Sequence, residues 1–319
     1  MDGLLGFVAR TAVHSTVAAA VSELVIVGLG VAEPLGRYRL RVLAVLVPPL
    51  TAALAPSLTA AGWPALLHLE PWRMLQIGPV RITHLAEALF GAMALIFVVQ
   101  ELVPWLRQRR RAPAAQGSQR PRRVDLATLP RLAAALGEVF GAPPACYRLE
   151  TTAHTLSVRE IEGRDALVFG ADFPDWLDDL ELRAVLAHER AHVLRQDLRT
   201  RSWLYAFRVV QLHAPFALVE YRQLVHDSEE VCDAMAVDAT GAPLALASGL
   251  LKAHGGGPST GEGLGLLART ARRVERHAGS VRLRRRVRRL LDRAPAQGPG
   301  SWTAWATALA LAALLLGVA

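Results

Sequence analysis

The sequence is poor in cysteine and almost empty of lysine. Its two cysteines, Cys146 and Cys232, lack the spacing of a zinc-thiolate motif. Both fall in a region assigned below to the cytoplasm, where a disulfide is disfavoured. Lys252 is the only lysine, so arginine carries nearly all the positive charge. The glycine-rich stretch 255–265 has no GK[ST] ending, which excludes a phosphate cradle and leaves a flexible loop. The opening MDGLLGFVAR has neither the basic start nor the small-residue cleavage site of a secretory signal, so the N-terminus is expected to be retained. There is no internal repeat.

What is abundant is apolar surface. Apolar residues make up 52% of the chain, which is high for a wholly soluble protein. A bilayer core of about 30 Å needs roughly 20 mostly apolar helical residues. Four stretches qualify: 11–32, 42–61, 85–106 and 302–319. The second and fourth contain no charged residue. The first carries His14 and Glu23, and the third carries Glu87 and Glu101 near its ends. Glu23 is expected to meet another helix or a polar cavity. Pro48, Pro49 and Pro56 each remove a backbone donor and should bend the second segment.

The net charge of +8 raises the question of nucleic acid, but the placement of the arginines answers it differently. Arg37, Arg39 and Arg41 separate the first two segments, seven arginines lie within 107–123, and the run RLRRRVRRLLDR covers 282–293. Only Arg73 and Arg81 lie between segments two and three. The positive-inside rule then places both termini outside and the large middle region in the cytoplasm of a cell-membrane protein. The arginines read as topology signals and anionic-lipid contacts, with no direct nucleic-acid partner.

The expected organisation is a membrane region over 1–106 with three transmembrane helices, a basic linker over 107–123, a cytoplasmic domain over 124–295 and a last membrane helix over 302–319. Within the domain, 129–140 has helical periodicity and stops at Gly141, ahead of Pro143 and Pro144. Runs 153–158 and 166–169, separated by a turn at 162–165, read as a small sheet. A helix is expected to begin within 172–179 and continue to about Arg199, followed by a second helical stretch over 203–240, interrupted at Pro215. The apolar part 203–221 carries Arg208 and His213, so it reads as a buried or interfacial helix rather than a span.

The chemistry lies in His188-Glu189-Arg190-Ala191-His192. Histidines four apart on a helix share one face and can hold one metal ion through their imidazoles. Glu189 points to nearly the same side and can act as the base that takes a proton from water. The expected packing face of this helix is Ala184, Val185, Leu186, Val193 and Leu194. A catalytic zinc needs a third protein ligand. The downstream cluster Glu229-Glu230-Val231-Cys232-Asp233 offers two carboxylates four apart, one to bind metal and one to accept the distal N–H of a ligand histidine. Glu230 lies about 100° round the helix from Glu229 and is the weaker candidate. His226 and Arg222, one to two turns before Glu229, are candidate donors to a developing oxyanion.

HERAHVLRQD at 188–197 together with EEVCD at 229–233 resembles the paired HExxHxxRxD and ExxCD signatures of the BlaR/MecR-type membrane metallopeptidases. The likeness covers the topology and roughly residues 120–290. It implies a mostly α, multi-pass helical membrane protein with a cytoplasmic α+β zincin-like domain of the gluzincin type, carrying a small sheet. It implies one Zn2+ per chain on His188, His192 and Glu229, with Glu189 catalytic and with Arg195, Asp197 and Asp233 supporting the ligands. It also implies a protein substrate, a small DNA-binding repressor whose cleavage derepresses nearby genes. Receptors of this type carry a C-terminal penicillin-binding domain, whereas this sequence ends just after the fourth segment, so β-lactam sensing by such a domain is not expected. HtpX-type quality-control proteases share HExxH but place alanine where Cys232 stands. A zinc-binding membrane scaffold without activity is the other alternative.

Overall fold

The computed structural model describes residues 2–60, 121–149, 156–255, 281 and 283–292, with short pieces between 76 and 95. The expected spans at 85–106 and 302–319, the linker up to 120 and most of the glycine-rich loop lie outside the described residues or nearly so. The described part is mostly helical with a small mixed sheet. It divides into two units. One holds the described residues of 1–111 and 200–228, the other those of 112–199 and 229–292.

The first unit is built on α1 (Asp2–Gly28) and α2 (Pro34–Ala60). Over Gly6–Gly28 and Pro34–Ser57 these are long and apolar enough to cross a membrane. Both begin earlier than the sequence pattern suggested. α2 runs unbroken through its three prolines, and two of the carbonyls they release find other donors. Pro49 leaves Val45 O without its helical partner, and Gln211 Nε2 donates to it at 2.7 Å. Pro56 does the same to Ala52 O, which accepts from Arg10 Nε at 3.2 Å. A two-residue strand pair, β1 (Gln76–Ile77) with β2 (Val80–Arg81), also belongs to this unit.

Arg37 and Arg41 are not loop residues. They lie inside α2, buried, with Arg39 exposed between them. Their Nε atoms hold the two oxygens of Asp227 at 3.0 and 2.9 Å, and Arg41 Nη1 reaches Glu220 at 2.9 Å and Glu23 at 2.7 Å. Glu23 thus meets another helix, as its sequence position implied. The reading of these two arginines as membrane-surface charges is corrected: the acids of α1 and of residues 220–227 draw them inward. Leu204 and Leu224 complete the packing against Val45.

The second unit wraps helices around a sheet of order β3-β4-β6-β5. Its strands are β3 (Arg122–Arg123), β4 (Ala145–Arg148), β5 (Leu156–Ile161) and β6 (Arg164–Phe169). β3, at the end of the expected linker, pairs antiparallel with β4, so the folded region starts at least two residues earlier than Val124. β4 and β6 are parallel, and β5 and β6 form an antiparallel hairpin. Glu162 and Gly163 close that hairpin with φ of 53° and 76°, the mirror-image turn that suits strand twist. Central β6 buries Ala166 through Phe169, and its Leu167 and Phe169 share a core with α3 (Pro130–Phe140), whose Leu132 and Leu136 are fully buried.

α4 (Asp179–Leu194) starts at a capping box: the Asp178 side chain accepts from Glu181 N and the Glu181 side chain from Asp178 N, each at 2.8 Å. Residues ahead of Asp179 are turns rather than helix. The helix does not reach Arg199 either. Gln196, at φ 52°, breaks it, and α5 (Asp197–Val210) begins at once. After a four-residue break comes α6 (Pro215–Thr240), then α7 (Pro243–Gly255). Pro215 opens α6, where its missing N–H costs nothing. The packing face of α4 uses Ala187 and Ala191 beside Ala184, Val185 and Leu186, while Leu194 is exposed. α7 packs close to α4 because Gly249 has no side chain: a Cβ there would sit 2.6 Å from Val185. A helical segment over 283–292, α8, ends the described chain.

Asp227 neutralises two buried guanidiniums at once. We expect Asp227→Ala to destabilise the folded protein by about 3–5 kcal/mol, because it strands buried charge. Thermal unfolding in detergent checks this, and an unchanged midpoint would refute the network's structural role.

Candidate metal site

His188 and His192 stand one turn apart on α4, with their Nε2 atoms 3.2 Å from each other. Glu229, on the second-unit part of α6, brings Oε2 to 3.5 Å from His188 Nε2 and 3.8 Å from His192 Nε2. These three side chains lie close enough to coordinate one metal ion. Bonds of about 2.0–2.2 Å in a tetrahedral site separate neighbouring ligand atoms by about 3.3–3.6 Å, and the observed triangle is close to that.

A carboxylate stands on the far side of each ring. Asp197 Oδ2 lies 2.7 Å from His192 Nδ1, and Asp233 Oδ1 lies 3.0 Å from His188 Nδ1. The second contact is bent and acts as an ion pair more than as an aligned hydrogen bond. A carboxylate beside Nδ1 favours the proton on that nitrogen. A neutral ring has only one N–H, so both Nε2 atoms are then left with lone pairs, converging with Glu229 Oε2 on one point. With both rings neutral, three acceptors face each other and repel; a proton on His188 or a metal ion among them relieves that repulsion.

The charges agree. Burial opposes protonation of His188, but Asp233 and Glu229 outweigh it and push the ring up to about 9. Burial alone would raise Glu229, yet His188, His192 and Arg286 hold it well below the usual carboxylate range. Asp233 is lowered in the same way, with burial overcome by Arg286 and His188. Groups that raise a ring's affinity for a proton raise it for a metal ion too.

Glu189 is half-buried, and its Oε2 accepts a hydrogen bond from Val158 N at 3.1 Å. Burial raises its pKa, against the opposing pull of the two histidines. Arg195 Nε lies 3.4 Å from Asp197 Oδ1, so Arg195 holds the carboxylate that orients His192. The break at Gln196 lets Asp197 turn back under the preceding helix. Cys232 Sγ lies 3.3 Å from His192 Nδ1, and a second group of possible ligands is His192, Asp197 and Cys232. Burial and the nearby Asp197 raise the Cys232 thiol far above its ordinary range, so it stays protonated and serves as a donor to Asp197 at 3.5 Å. Cys146 is buried in the core, its thiol pushed up to about 11 by burial.

Glu230 is directed away from the histidines, as its helical phase implied, and pairs with Arg285 and Arg289. Arg222 and His226 belong to the other unit. Sequence reasoning missed Arg286, whose Nε and Nη2 bind both oxygens of Asp233 at 2.7 Å. An alternating charge match between 229–233 and 285–289 was the available signal. Beside the cluster a cavity of about 260 Å³ is lined by Val158, Asp165, His192, Gln196 and Arg199, among others. No protein-family model matches this sequence, and no curated protein matches it.

A metal ligand must be unprotonated, so binding an ion below about pH 9 expels the His188 proton. Affinity should therefore rise with pH, by up to about tenfold per unit from this group, and level off near pH 9. Calorimetry in buffers of different ionisation enthalpy should register release of about one proton per ion at roughly neutral pH. No buffer dependence would contradict the assignment.

Proposed function

We propose that this protein is a membrane-bound zinc endopeptidase of the BlaR/MecR type, with Zn2+ held by His188, His192 and Glu229. The observation that carries the reading is the convergence of two histidine nitrogens and one glutamate oxygen, with Glu189 in the same helical turn. Two imidazoles and one carboxylate, leaving a position open, form the donor set of catalytic rather than structural zinc sites. The paired motifs at 188–197 and 229–233 support the family, and the two apolar helices support membrane attachment. Leu24, Val27, Leu50 and Leu54 are exposed on those helices, a surface suited to lipid.

A divalent ion at this site supplies Lewis acidity to water and to a substrate carbonyl. Glu189 takes the proton as water's oxygen forms its bond to the carbonyl carbon, then returns it to the nitrogen as the C–N bond breaks. Asp197 and Asp233 keep the two rings oriented throughout. β5 is an edge strand of the sheet, and Val158 N–H points away from β6 toward Glu189. An extended peptide can lie along such an edge, with backbone hydrogen bonds fixing it beside the base. On the arginines of 107–123, which follow the third apolar segment, the domain is cytoplasmic, both termini are outside, and the substrate is a cytoplasmic protein, for which the family likeness suggests a DNA-binding repressor.

The test is Glu189→Gln in the purified, zinc-loaded full-length protein. It should bind zinc as tightly as the parent and lose about 10²–10⁴-fold in peptide hydrolysis. Undiminished proteolysis would refute the mechanism. Cleavage of many unfolded proteins but not of a repressor would favour the HtpX-type alternative, and an intact cellular phenotype with Glu189→Gln would favour the scaffold.

A further inference from the structure

The arginine run before the last apolar segment does more than mark topology. Three of its members on α8 meet the acidic face of α6 within the second unit. Arg285 and Arg289 pair with Glu230, and Arg286 turns toward the metal cluster. All three nitrogens of the Arg286 guanidinium are engaged. Nε and Nη2 donate to Asp233 Oδ2 and Oδ1 at 2.7 Å each, and Nη1 lies 3.5 Å from Glu229 Oε2.

Both carboxylates face the site. Glu229 Oε2 is the oxygen that approaches His188 and His192, and Asp233 Oδ1 is the oxygen beside His188 Nδ1. Glu229 and Asp233 are also like charges four apart on one helix, which repel each other. A glutamate side chain has rotamers that would swing its oxygen away from the rings, and that repulsion favours them. A planar guanidinium fork, unlike an ammonium, fixes the direction of what it binds. Its own charge opposes a metal cation nearby, so the gain comes from orientation and from relieving the carboxylate pair.

We propose that Arg286 is a positioning residue for the metal site, through which docking of α8 determines whether Glu229 is presented as the third ligand. This rests on the metal reading above, but it can fail separately. The experiment uses the full-length protein in detergent, measuring zinc affinity by chelator competition and the visible spectrum of the cobalt-loaded protein, which reports the ligand set. Arg286→Ala should weaken zinc binding about 10–100-fold and alter the cobalt spectrum. Arg286→Lys keeps the charge without the fork and should lose an intermediate amount. Arg289→Ala, which removes a neighbouring pair on the same two helices, should retain parental affinity. Parental affinity and spectrum in both Arg286 variants would overturn the proposal, as would an equal loss in Arg289→Ala. Should Arg286→Ala fail to fold by circular dichroism, Arg286→Lys decides alone, and parental affinity there overturns it. A parent that binds no metal would instead overturn the metal reading itself.

Discussion

Two imidazole nitrogens and a carboxylate oxygen aimed at one another form an arrangement that repels itself unless a proton on His188 or a metal ion lies between them. Most of what surrounds the cluster serves to keep them so aimed. Asp197 and Asp233 sit behind the rings, Arg195 and Arg286 hold those carboxylates, and Cys232 lies against Asp197 as a neutral donor. Such layered support raises ligand basicity and fixes ring orientation, and its loss typically costs metal sites as much as 10–100-fold in affinity.

The fold delivers this aim through ordinary local devices. A capping box fixes the start of α4, and thereby the phase at which His188 and His192 emerge. Glu181 of that box also accepts from Ser248 and Lys252 of α7, at 2.5 and 2.6 Å, so the cap and the packing of α7 depend on one carboxylate. Burial alone would raise that carboxylate, but Lys252, Ser248 and Asp178 N–H hold it below its ordinary value. The left-handed Gln196 ends α4 one residue before Asp197 is needed. Within the second unit, α6 carries Glu229 and Asp233 one turn apart.

Much of the site was legible because helical spacing is a strong constraint: residues four apart must share a face, so His188/His192 and Glu229/Asp233 could be paired from the chain alone. Helix and hairpin ends marked by Gly141, Pro215 and Gly163 were legible for the same local reason. Contacts made across long sequence separations were not. Arg37, Arg41 and Arg286 have the composition of surface charge, and only the acids brought opposite them reveal that the first two are buried and the third half-buried as their partners. The break at Gln196 also escaped notice, because a positive φ at a residue other than glycine carries no sequence signal. Leu194 looked like core by periodicity, but α4 ends there and its outer face meets solvent.

The most direct test of the central claim is metal content, by elemental analysis, of detergent-purified protein beside His188→Ala and Glu229→Ala. The account predicts about one zinc per chain, lost or sharply weakened in both variants. Zinc lost with His188→Ala but retained with Glu229→Ala would remove Glu229 as the third ligand, and a parent free of metal would contradict the site altogether.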